Sequence, residues 1–284
     1  MKDIRFIKMH GLGNDFVVID DRSCTLGIGE AGARAIGNRR TGVGFDQLLV
    51  LEQPSDEDAD VFMRIRNPDG SEAEACGNGT RCVAALVMDE LGRDAATVET
   101  VAGLLETGRN GDGLVTVNMG PANLDWQQIP LARESDTLHM DIAAGSLSDP
   151  VGINMGNPHA VFFVDNVDDI ALTEVGPELE HHPMFPERAN IEIVHLAGPD
   201  HLRMRVWERS AGITQACGSG ACAVAVAAHR RGLTGRKVRV DLDGGSLGIE
   251  WRDDGNVLMT GPVAVSYTGQ LDPSLLAGGD QDRG

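Results

Sequence analysis

Two cysteines stand in nearly identical surroundings, one in each half of the chain. Cys76 opens the run "CGNGTRCVAAL" and Cys217 opens "CGSGACAVAVA", 141 residues apart in a chain of 284. Each run passes from glycines into Ala- and Val-rich sequence, which predicts a buried helix starting just after the cysteine. Amide N–H groups at a helix N-terminus lack intrahelical partners, and the helix dipole favours negative charge. A cysteine at the start of a helix is therefore predicted to have a lowered thiol pKa and to lie beside a binding site for a carboxylate.

A pair of such thiols suits one kind of chemistry, the inversion of a carbon that bears a carboxylate. If two similar domains face one cleft, the thiols lie on opposite sides of a bound substrate. One thiolate removes a proton from one face of the carbon, and the opposite thiol donates a proton to the other face. The cysteines five or six residues further along, Cys82 and Cys222, lie inside the predicted helices and are interpreted as core residues.

Lysine and cysteine usage predicts that this chemistry needs no cofactor and no metal. Racemases that use pyridoxal phosphate form a Schiff base with a lysine. None of the three lysines, Lys2, Lys8 and Lys237, has convincing surroundings for one. A four-cysteine zinc site is the alternative, but its C-x5-C and C-x4-C spacings are wider than usual ligand spacings and fall across helix.

Further matches between the two halves predict an internal duplication. "GNDFVVID" resembles "GNPHAVFFVD", which pairs Asn14 with Asn157, and "DQLLVL" resembles "ANIEIVHL", which pairs Gln47 with Asn190. Nine residues before each helix-start cysteine stand Asn67 and Glu208. The order is constant and every offset is 141 or 143 residues. The repeat therefore indicates two copies of one domain.

The predicted fold class is α+β, with two pseudo-symmetric domains, each a β-sheet or barrel around a central helix, and an active site in the cleft between them. The predicted domains are residues 1–119 with 263–284, and residues 120–262. Helices are predicted over 81–91 and 220–231, with weaker ones over 29–39 and 170–179, and residues after about 270 are expected to be disordered. Alternating β-branched runs predict strands at 16–20, 46–51, 60–67, 96–103, 113–120, 151–156, 159–165, 190–196, 201–208, 237–245 and 257–265.

Composition restricts the partners and the compartment. The net charge of −19 and the pI of about 4.7 oppose binding to nucleic acid or to anionic membranes. The N-terminal residues lack the apolar run of a signal peptide, and no stretch approaches the roughly 20 apolar residues of a membrane span. We therefore expect a cytoplasmic protein whose five cysteines are reduced and whose partner is a small molecule.

The segment "NPDGSEAEACGNGTRC" at 67–82 resembles the signature of the diaminopimelate epimerase family. The resemblance extends over nearly the whole chain through "HGLGNDF", "GFDQ", "NMGNPHAV", "ERAN" and "WERSAGITQACGSGA". The second signature departs at two positions, where Ser210 replaces the usual glycine and Ile213 an often-used glutamate. Those departures concern the geometry of a turn.

This resemblance implies an isomerase that interconverts LL- and meso-diaminopimelate without a cofactor, on the route to lysine and peptidoglycan, and a homodimer. It makes Cys76 and Cys217 the acid/base pair. It implies that the amides of Gly77–Asn78 and Gly218–Ser219 hold the carboxylate at the reacting carbon and that Glu208 takes the α-ammonium group. It further implies that the distal amino-acid end of the substrate is held by Asn67, Asn157, Asn190 and Arg209. Asn14 and Gln47 would complete the wall of the site, and His159 would steer the α-amino group or a thiol.

Alternatives remain open at this level. A proline or hydroxyproline racemase uses the same two-cysteine chemistry but needs an apolar far end to its site. A non-catalytic amino-acid-binding or metal-binding protein is the third possibility. Several site residues also have simpler interpretations: Asn67 as a turn former, the other asparagines as strand-end caps, His159 as an ordinary surface or hydrogen-bonded histidine, and Glu208–Arg209 as an exposed ion pair.

Overall fold

The computed structural model describes residues 4–276, and sheet predominates over helix within them. The strands are β1 (Ile4–Gly11), β2 (Asn14–Asp20), β3 (Gln47–Glu52), β4 (Val61–Arg66), β5 (Glu72–Ala73), β6 (Ala95–Thr100), β7 (Gly103–Arg109), β8 (Val115–Pro121), β9 (Ala143–Ala144), β10 (Leu147–Ser148), β11 (Val151–Asn154), β12 (Pro158–Phe163), β13 (Asn190–Gly198), β14 (His201–Glu208), β15 (Gly212–Ile213), β16 (Lys237–Leu242), β17 (Gly245–Trp251), β18 (Asn256–Gly261) and β19 (Ala264–Leu271). The helices are α1 (Glu30–Gly37), α2 (Gly77–Leu91), α3 (Leu172–Glu180) and α4 (Gly218–Arg230), with 3-10 turns at Val167–Asp169 and Pro273–Leu275. The predicted α+β class is confirmed.

The described chain divides into two units. Unit 1 comprises residues 4–117 and 262–276, and unit 2 comprises residues 118–261. Unit 1 therefore contains both ends of the described chain, because β19 pairs antiparallel with β1. The assignment of residues 1–119 with 263–284 and of residues 120–262 to the two repeats stays a prediction.

Unit 1 is a mixed sheet whose central helix is α2. Strands β2 and β3 are parallel, β4 and β6 are parallel, and the other neighbours, including β3 with β4 and β6 with β7, are antiparallel. The inner face of the sheet packs on α2, with Phe16, Leu49 and Met63 in one buried cluster with Cys82 and Val83. The other face is covered around α1 by Ile36 and other apolar side chains.

Unit 2 repeats that pairing scheme strand for strand. Strands β12 and β13 are parallel, β13 and β14 antiparallel, β14 and β16 parallel, and β16, β17 and β18 antiparallel. The register repeats as well, since Phe16 lies opposite Gln47 in unit 1 and His159 lies opposite Asn190 in unit 2. Helix α4 is buried on nearly all sides, as its Ala- and Val-rich sequence requires. The same chain path is thus built twice.

The two central helices begin earlier than the sequence predicts. They start at Gly77 and Gly218 rather than at Arg81 and Gly220, because each cysteine side chain caps the first turn and draws the glycines into the helix. Helix α2 ends at Leu91 and is capped by Gly92, whose φ of 64° is a left-handed conformation that glycine adopts readily. The weaker predicted helices are present as α1 and α3.

The sequence did not predict several of the strands, and it predicted disorder too early in the C-terminal segment. Strands β1, β7, β17 and most of β19 were not predicted, because glycines and charged or polar residues weaken their alternation. The two-residue strands β5, β9, β10 and β15 were also not predicted, because they are too short to show an alternation. The expected disorder after about residue 270 is wrong for residues 271–276, where Leu271 is buried against Ile4 and a 3-10 turn follows. The rest of that prediction, residues 277–284, lies outside the described residues. Among the helices of the described part, none is long and apolar enough to cross a membrane.

Candidate active site

Both sequence-predicted cysteines are the N-caps of the central helices. The Cys76 Sγ accepts a hydrogen bond from the Gly79 N–H at 3.3 Å, and the Cys217 Sγ accepts one from the Gly220 N–H at 3.4 Å. A helix leaves its first N–H groups without intrahelical partners. The amides of residues 77–78 and 218–219 therefore lie beside a sulfur atom at the positive end of a helix, in each unit separately.

Gly79 and Gly220 lie close to neighbouring side chains, and the space is tighter at Gly220 than at Gly79. A Cβ at Gly220 would lie 2.8 Å from Glu192 Oε1 and 3.2 Å from the Cys217 Sγ. A Cβ at Gly79 would lie 3.2 Å from the Leu49 methyl carbons and 3.5 Å from the Cys76 sulfur. Each glycine thus lets the first helical turn lie directly against a strand and the thiol.

The expected lowering of thiol pKa is wrong for Cys217. Burial raises the pKa of Cys217 well above its ordinary value, and the carboxyl groups of Glu208 and Glu192 raise it further. Hydrogen bonds from Ser219, with an Sγ–Oγ distance of 3.6 Å, and from the Gly220 amide lower it only in part. The helix terminus stabilises a thiolate, but removal of the sulfur from water next to two acids opposes it more strongly.

Glu208 lies at the end of β14, next to Cys217. Its pKa is raised by burial; a hydrogen bond donated by the Thr214 hydroxyl lowers it, and the Glu192 carboxyl raises it. Thr214 was not singled out from the sequence. A carboxyl that keeps its proton above the usual range can exchange one with a neighbouring thiol.

His159 is completely buried between two acceptors. Its Nδ1 lies 2.6 Å from Glu192 Oε1, and its Nε2 lies 2.8 Å from the Asn157 Oδ1. Both His159 and Glu192 are 0% exposed. Sequence reasoning missed Glu192, although the repeat contained a signal: Glu192 occupies the position of Leu49 and interrupts the apolar run of residues 191–194.

Asn190 and Arg209 are linked through the backbone. The Asn190 Oδ1 accepts the Arg209 N–H at 2.9 Å, and its Nδ2 donates to the Pro158 carbonyl at 3.0 Å. The exposed Arg209 guanidinium donates to the Glu187 carbonyl. Asn190 therefore fixes the start of the loop that carries Arg209.

The predicted residues of unit 1 form two polar pairs. Asn78 donates to Asn14 at 3.2 Å, and Gln47 donates to Asn67 at 3.3 Å. Asn67 in turn donates to the Ser71 hydroxyl at 3.1 Å, within the turn that its Asn-Pro-Asp-Gly sequence forms. The Asn78–Asn14 pair therefore lies at the start of α2, which Cys76 caps.

The remaining lysines and cysteines are used elsewhere in the fold. The Lys8 ammonium is buried and held by the Asp15 carboxylate and the Gly44 carbonyl, so a Schiff base there would break an ion pair. Lys237 pairs with Glu250 on the surface, and Lys2 lies outside the described residues.

Cys82 packs in the core, and burial raises its pKa to about 12. Between residues 4 and 276, no cluster of three His, Cys, Asp or Glu side chains is arranged to hold a metal ion.

Comparison with known proteins gives the family. The model of the family described as diaminopimelate epimerase matches residues 6–124 and 151–266. The chain belongs to the diaminopimelate epimerase family. It is 61% identical over 274 residues to a diaminopimelate epimerase of Rhodospirillum centenum, with 96% of this chain and 94% of the relative covered. A diaminopimelate epimerase of Acidiphilium cryptum is 52% identical, with 96% and 98% covered.

Solved structures of low identity share the fold. A probable proline racemase from Agrobacterium radiobacter has a TM-score of 0.68 at 16% identity, with 95% of this chain and 93% of that chain covered. A phenazine biosynthesis protein of the PhzF family from Bacillus anthracis has a TM-score of 0.67 at 19% identity, with 96% and 100% covered. Family membership confirms the prediction of an isomerase, whereas the roles of individual residues stay predictions.

Proposed function

We propose that this protein interconverts LL- and meso-2,6-diaminopimelate by proton transfer between Cys76 and Cys217 at one α-carbon, without a cofactor. The observation that carries the proposal is the duplicated cap: each thiol accepts an amide hydrogen bond at the start of the equivalent helix of its unit. Relatives at 61% and 52% identity that bear the name diaminopimelate epimerase support the choice of substrate.

In the proposed reaction one cysteine, as the thiolate, takes the α-proton, and the C–H electron pair moves into the carbon and its carboxylate. The amides of residues 77–78 and 218–219 stabilise the negative charge that develops there. The other cysteine donates its S–H proton to the opposite face and becomes the thiolate. Charge and protons balance, and only the configuration of the carbon changes.

The environment of Cys217 supports the direction of reaction in which Cys217 is the proton donor. Because burial raises the pKa of Cys217, the substrate-free protein holds it as a thiol that can donate at once. Abstraction by Cys217 first requires its proton to move to a base, for which the adjacent Glu208 is placed. In the proposal Glu208 also takes the α-ammonium group, and Asn67, Asn157, Asn190 and Arg209 take the distal end, with Asn14, Gln47 and His159 completing the site.

Turnover in deuterated water tests the proposal. We expect deuterium to enter one α-carbon of LL- or meso-diaminopimelate, with no added cofactor and no racemisation of proline. Cys76→Ala and Cys217→Ala should abolish epimerisation, whereas the core variants Cys82→Ala and Cys222→Ala serve as matched controls and should retain it. Turnover of proline alone, or retained epimerisation in either active-site variant, would overturn the proposal.

The cellular context belongs to the same proposal. We infer a cytoplasmic homodimer that acts in lysine and peptidoglycan precursor synthesis on a small molecule, with neither nucleic acid nor membrane as partner. The strongly acidic composition supports that choice of partners. Light scattering after gel filtration tests the dimer, since a mass near the single-chain 30.2 kDa would contradict it.

A further inference from the structure

A buried ionisable pair in unit 2 is replaced by two apolar residues at the equivalent positions of unit 1. His159 on β12 and Glu192 on β13 are both 0% exposed, and His159 Nδ1 lies 2.6 Å from Glu192 Oε1. The second carboxyl oxygen of Glu192 is buried with no hydrogen-bond partner among the described residues. Burying ionised groups so far from water is costly, and pairing and hydrogen bonds offset that cost only in part.

Unit 1 shows what the fold itself accepts at these places. By the repeated register, Phe16 occupies the position of His159 and Leu49 that of Glu192, and both are 0% exposed in an apolar cluster. Leu49 contacts the first turn of α2 as Glu192 contacts the first turn of α4. Because an apolar pair fits this place in the duplicated fold, packing does not require the ionisable one.

The hydrogen bonds of His159 indicate its charge. Its Nδ1 faces a carboxylate oxygen, and its Nε2 lies 2.8 Å from the amide oxygen of Asn157. A neutral imidazole carries one N–H, whereas an imidazolium carries two and can donate to both acceptors. We propose that Glu192 is a positioning residue that holds His159 as an imidazolium, with its second N–H donated to Asn157. The role in turnover rests on the proposed function.

The imidazolium would offset negative charge around Cys217. The titratable groups that face one another here are His159 on β12, Glu192 on β13, Glu208 on β14 and the Cys217 thiol at the start of α4. Two carboxyl groups and a sulfur in one buried place cannot all be anionic without a cation. A fixed imidazolium lets Glu192 stay ionised while a proton is exchanged between Glu208 and Cys217, and it orients Asn157 towards the proposed substrate end.

Nitrogen NMR of the unaltered protein tests the charge state directly. With ¹⁵N-labelled histidine and the His159 signal assigned by its loss in His159→Asn, we expect both ring nitrogens of His159 to carry a proton, because each lies within hydrogen-bond distance of an acceptor. An ordinary histidine loses its charge near pH 6.5. A neutral Nδ1–H tautomer at pH 8, with the Asn157 amide turned, would overturn the proposal, whether or not the protein epimerises diaminopimelate.

Glu192→Gln tests the effect on turnover. Glutamine keeps an acceptor for Nδ1–H but removes the negative charge that stabilises the imidazolium. We expect kcat to fall by up to about 100-fold, because small displacements of active-site groups have effects of this size, and we expect a decline of kcat with rising pH that the unaltered protein does not show. A purely structural role would lower the melting temperature and leave the pH profile unmoved, and that result would contradict the proposal.

The double variant His159→Phe/Glu192→Leu, which copies unit 1, is the matched control for folding. We expect a melting temperature equal to or above that of the unaltered protein, with kcat reduced at least as far as in Glu192→Gln. Wild-type kcat in the double variant would overturn the proposal. If the unaltered protein proved inactive on diaminopimelate, the proposed function would fail, and the NMR measurement would still decide the charge of His159.

Discussion

At the scale of the residue, the two helix-start glycines differ in what they touch. Gly79 lies against the flexible tips of Leu49, whereas Gly220 lies against the hydrogen-bonded carboxylate of Glu192. Both lie against the capping sulfur of their own unit. The same substitution in the two copies therefore tests how tightly each thiol is held.

We expect Gly220→Ala to lower kcat for diaminopimelate by about 10- to 100-fold, because small displacements of catalytic groups have effects of this size. A methyl group 2.8 Å from the Glu192 oxygen must displace that carboxylate or the Cys217 sulfur. Gly79→Ala, with 3.2 Å to movable methyl groups, should cost about threefold or less. Steady-state kinetics check this, and an equal or reversed order would contradict it.

The core thiol of Cys82 gives a pH prediction with a fixed sign. Burial raises its pKa from 9.0 to about 12. Above pH 9 the unfolded chain releases this proton while the folded protein retains it, so stability is lost as pH rises towards 12. Each such group contributes a slope of about 1.4 kcal/mol per pH unit.

Cys82→Ala removes that contribution. We expect the free energy of unfolding to fall less steeply between pH 9 and 10.5 in the variant, although the variant is less stable at pH 7 because of the small cavity. Urea unfolding at several pH values measures both slopes. Identical slopes would show that the buried thiol ionises in the folded protein.

At the scale of the element, the turn after β14 is held by a carboxylate from α3. Glu180 is buried, and it accepts hydrogen bonds from the Trp207 indole at 2.8 Å and from the Ser210 N–H at 3.0 Å. Ser210 has a φ of 65°, in the left-handed region where glycine is favoured. A glycine, which the family resemblance implies at this position, would adopt this backbone geometry without strain.

Ser210→Gly should stabilise the protein by up to about 1 kcal/mol. The relief of left-handed strain, about 1–2 kcal/mol, exceeds the unfolded-state entropy that glycine adds, about 0.4–1 kcal/mol. Ser210→Ala is the control, because it removes the hydroxyl and keeps the strain. Thermal unfolding checks the order, and a Gly variant less stable than the Ala variant would contradict it.

Glu180→Gln should raise KM for diaminopimelate more than it lowers kcat. The amide cannot accept both hydrogen bonds, so the turn that begins with Arg209 should loosen. Arg188, an exposed ion-pair partner of Glu180 at 3.7 Å, provides the control, and Arg188→Ala should have a small effect because exposed pairs contribute little. Steady-state kinetics decide, and a loss confined to kcat would contradict the expectation.

At the scale of the whole molecule, the chain leaves unit 1 near residue 117 and returns near residue 262. The returning strand β19 pairs with β1 along its length, with Leu271 opposite Ile4. Unit 1 is therefore completed by sequence that follows the whole of unit 2. Without β19, the buried side chains of Ile4 and Phe6 would lose cover.

We expect residues 1–117 alone to remain unfolded, whereas residues 262–276 joined by a short linker to residues 4–117 should fold as unit 1. The linker is feasible because the end of β19 lies opposite the start of β1. Circular dichroism and urea unfolding of both chains check this. Cooperative unfolding of residues 1–117 alone would contradict it.

The sequence by itself determined the α+β class, the duplication, the capping cysteines and the family, because each can be recognised from short stretches of sequence and their spacing. Helix caps, apolar runs and repeated spacing depend on near neighbours, so the amino-acid order alone places Cys76 and Cys217 at helix starts. The charge environment of those thiols depends on distant strands. Only the tertiary structure placed Glu192 and Glu208 beside Cys217, and desolvation next to those acids reverses the expected lowering of its pKa. The fold also decided that His159 is buried on Glu192, since strand pairing alone brings residues 33 positions apart into contact.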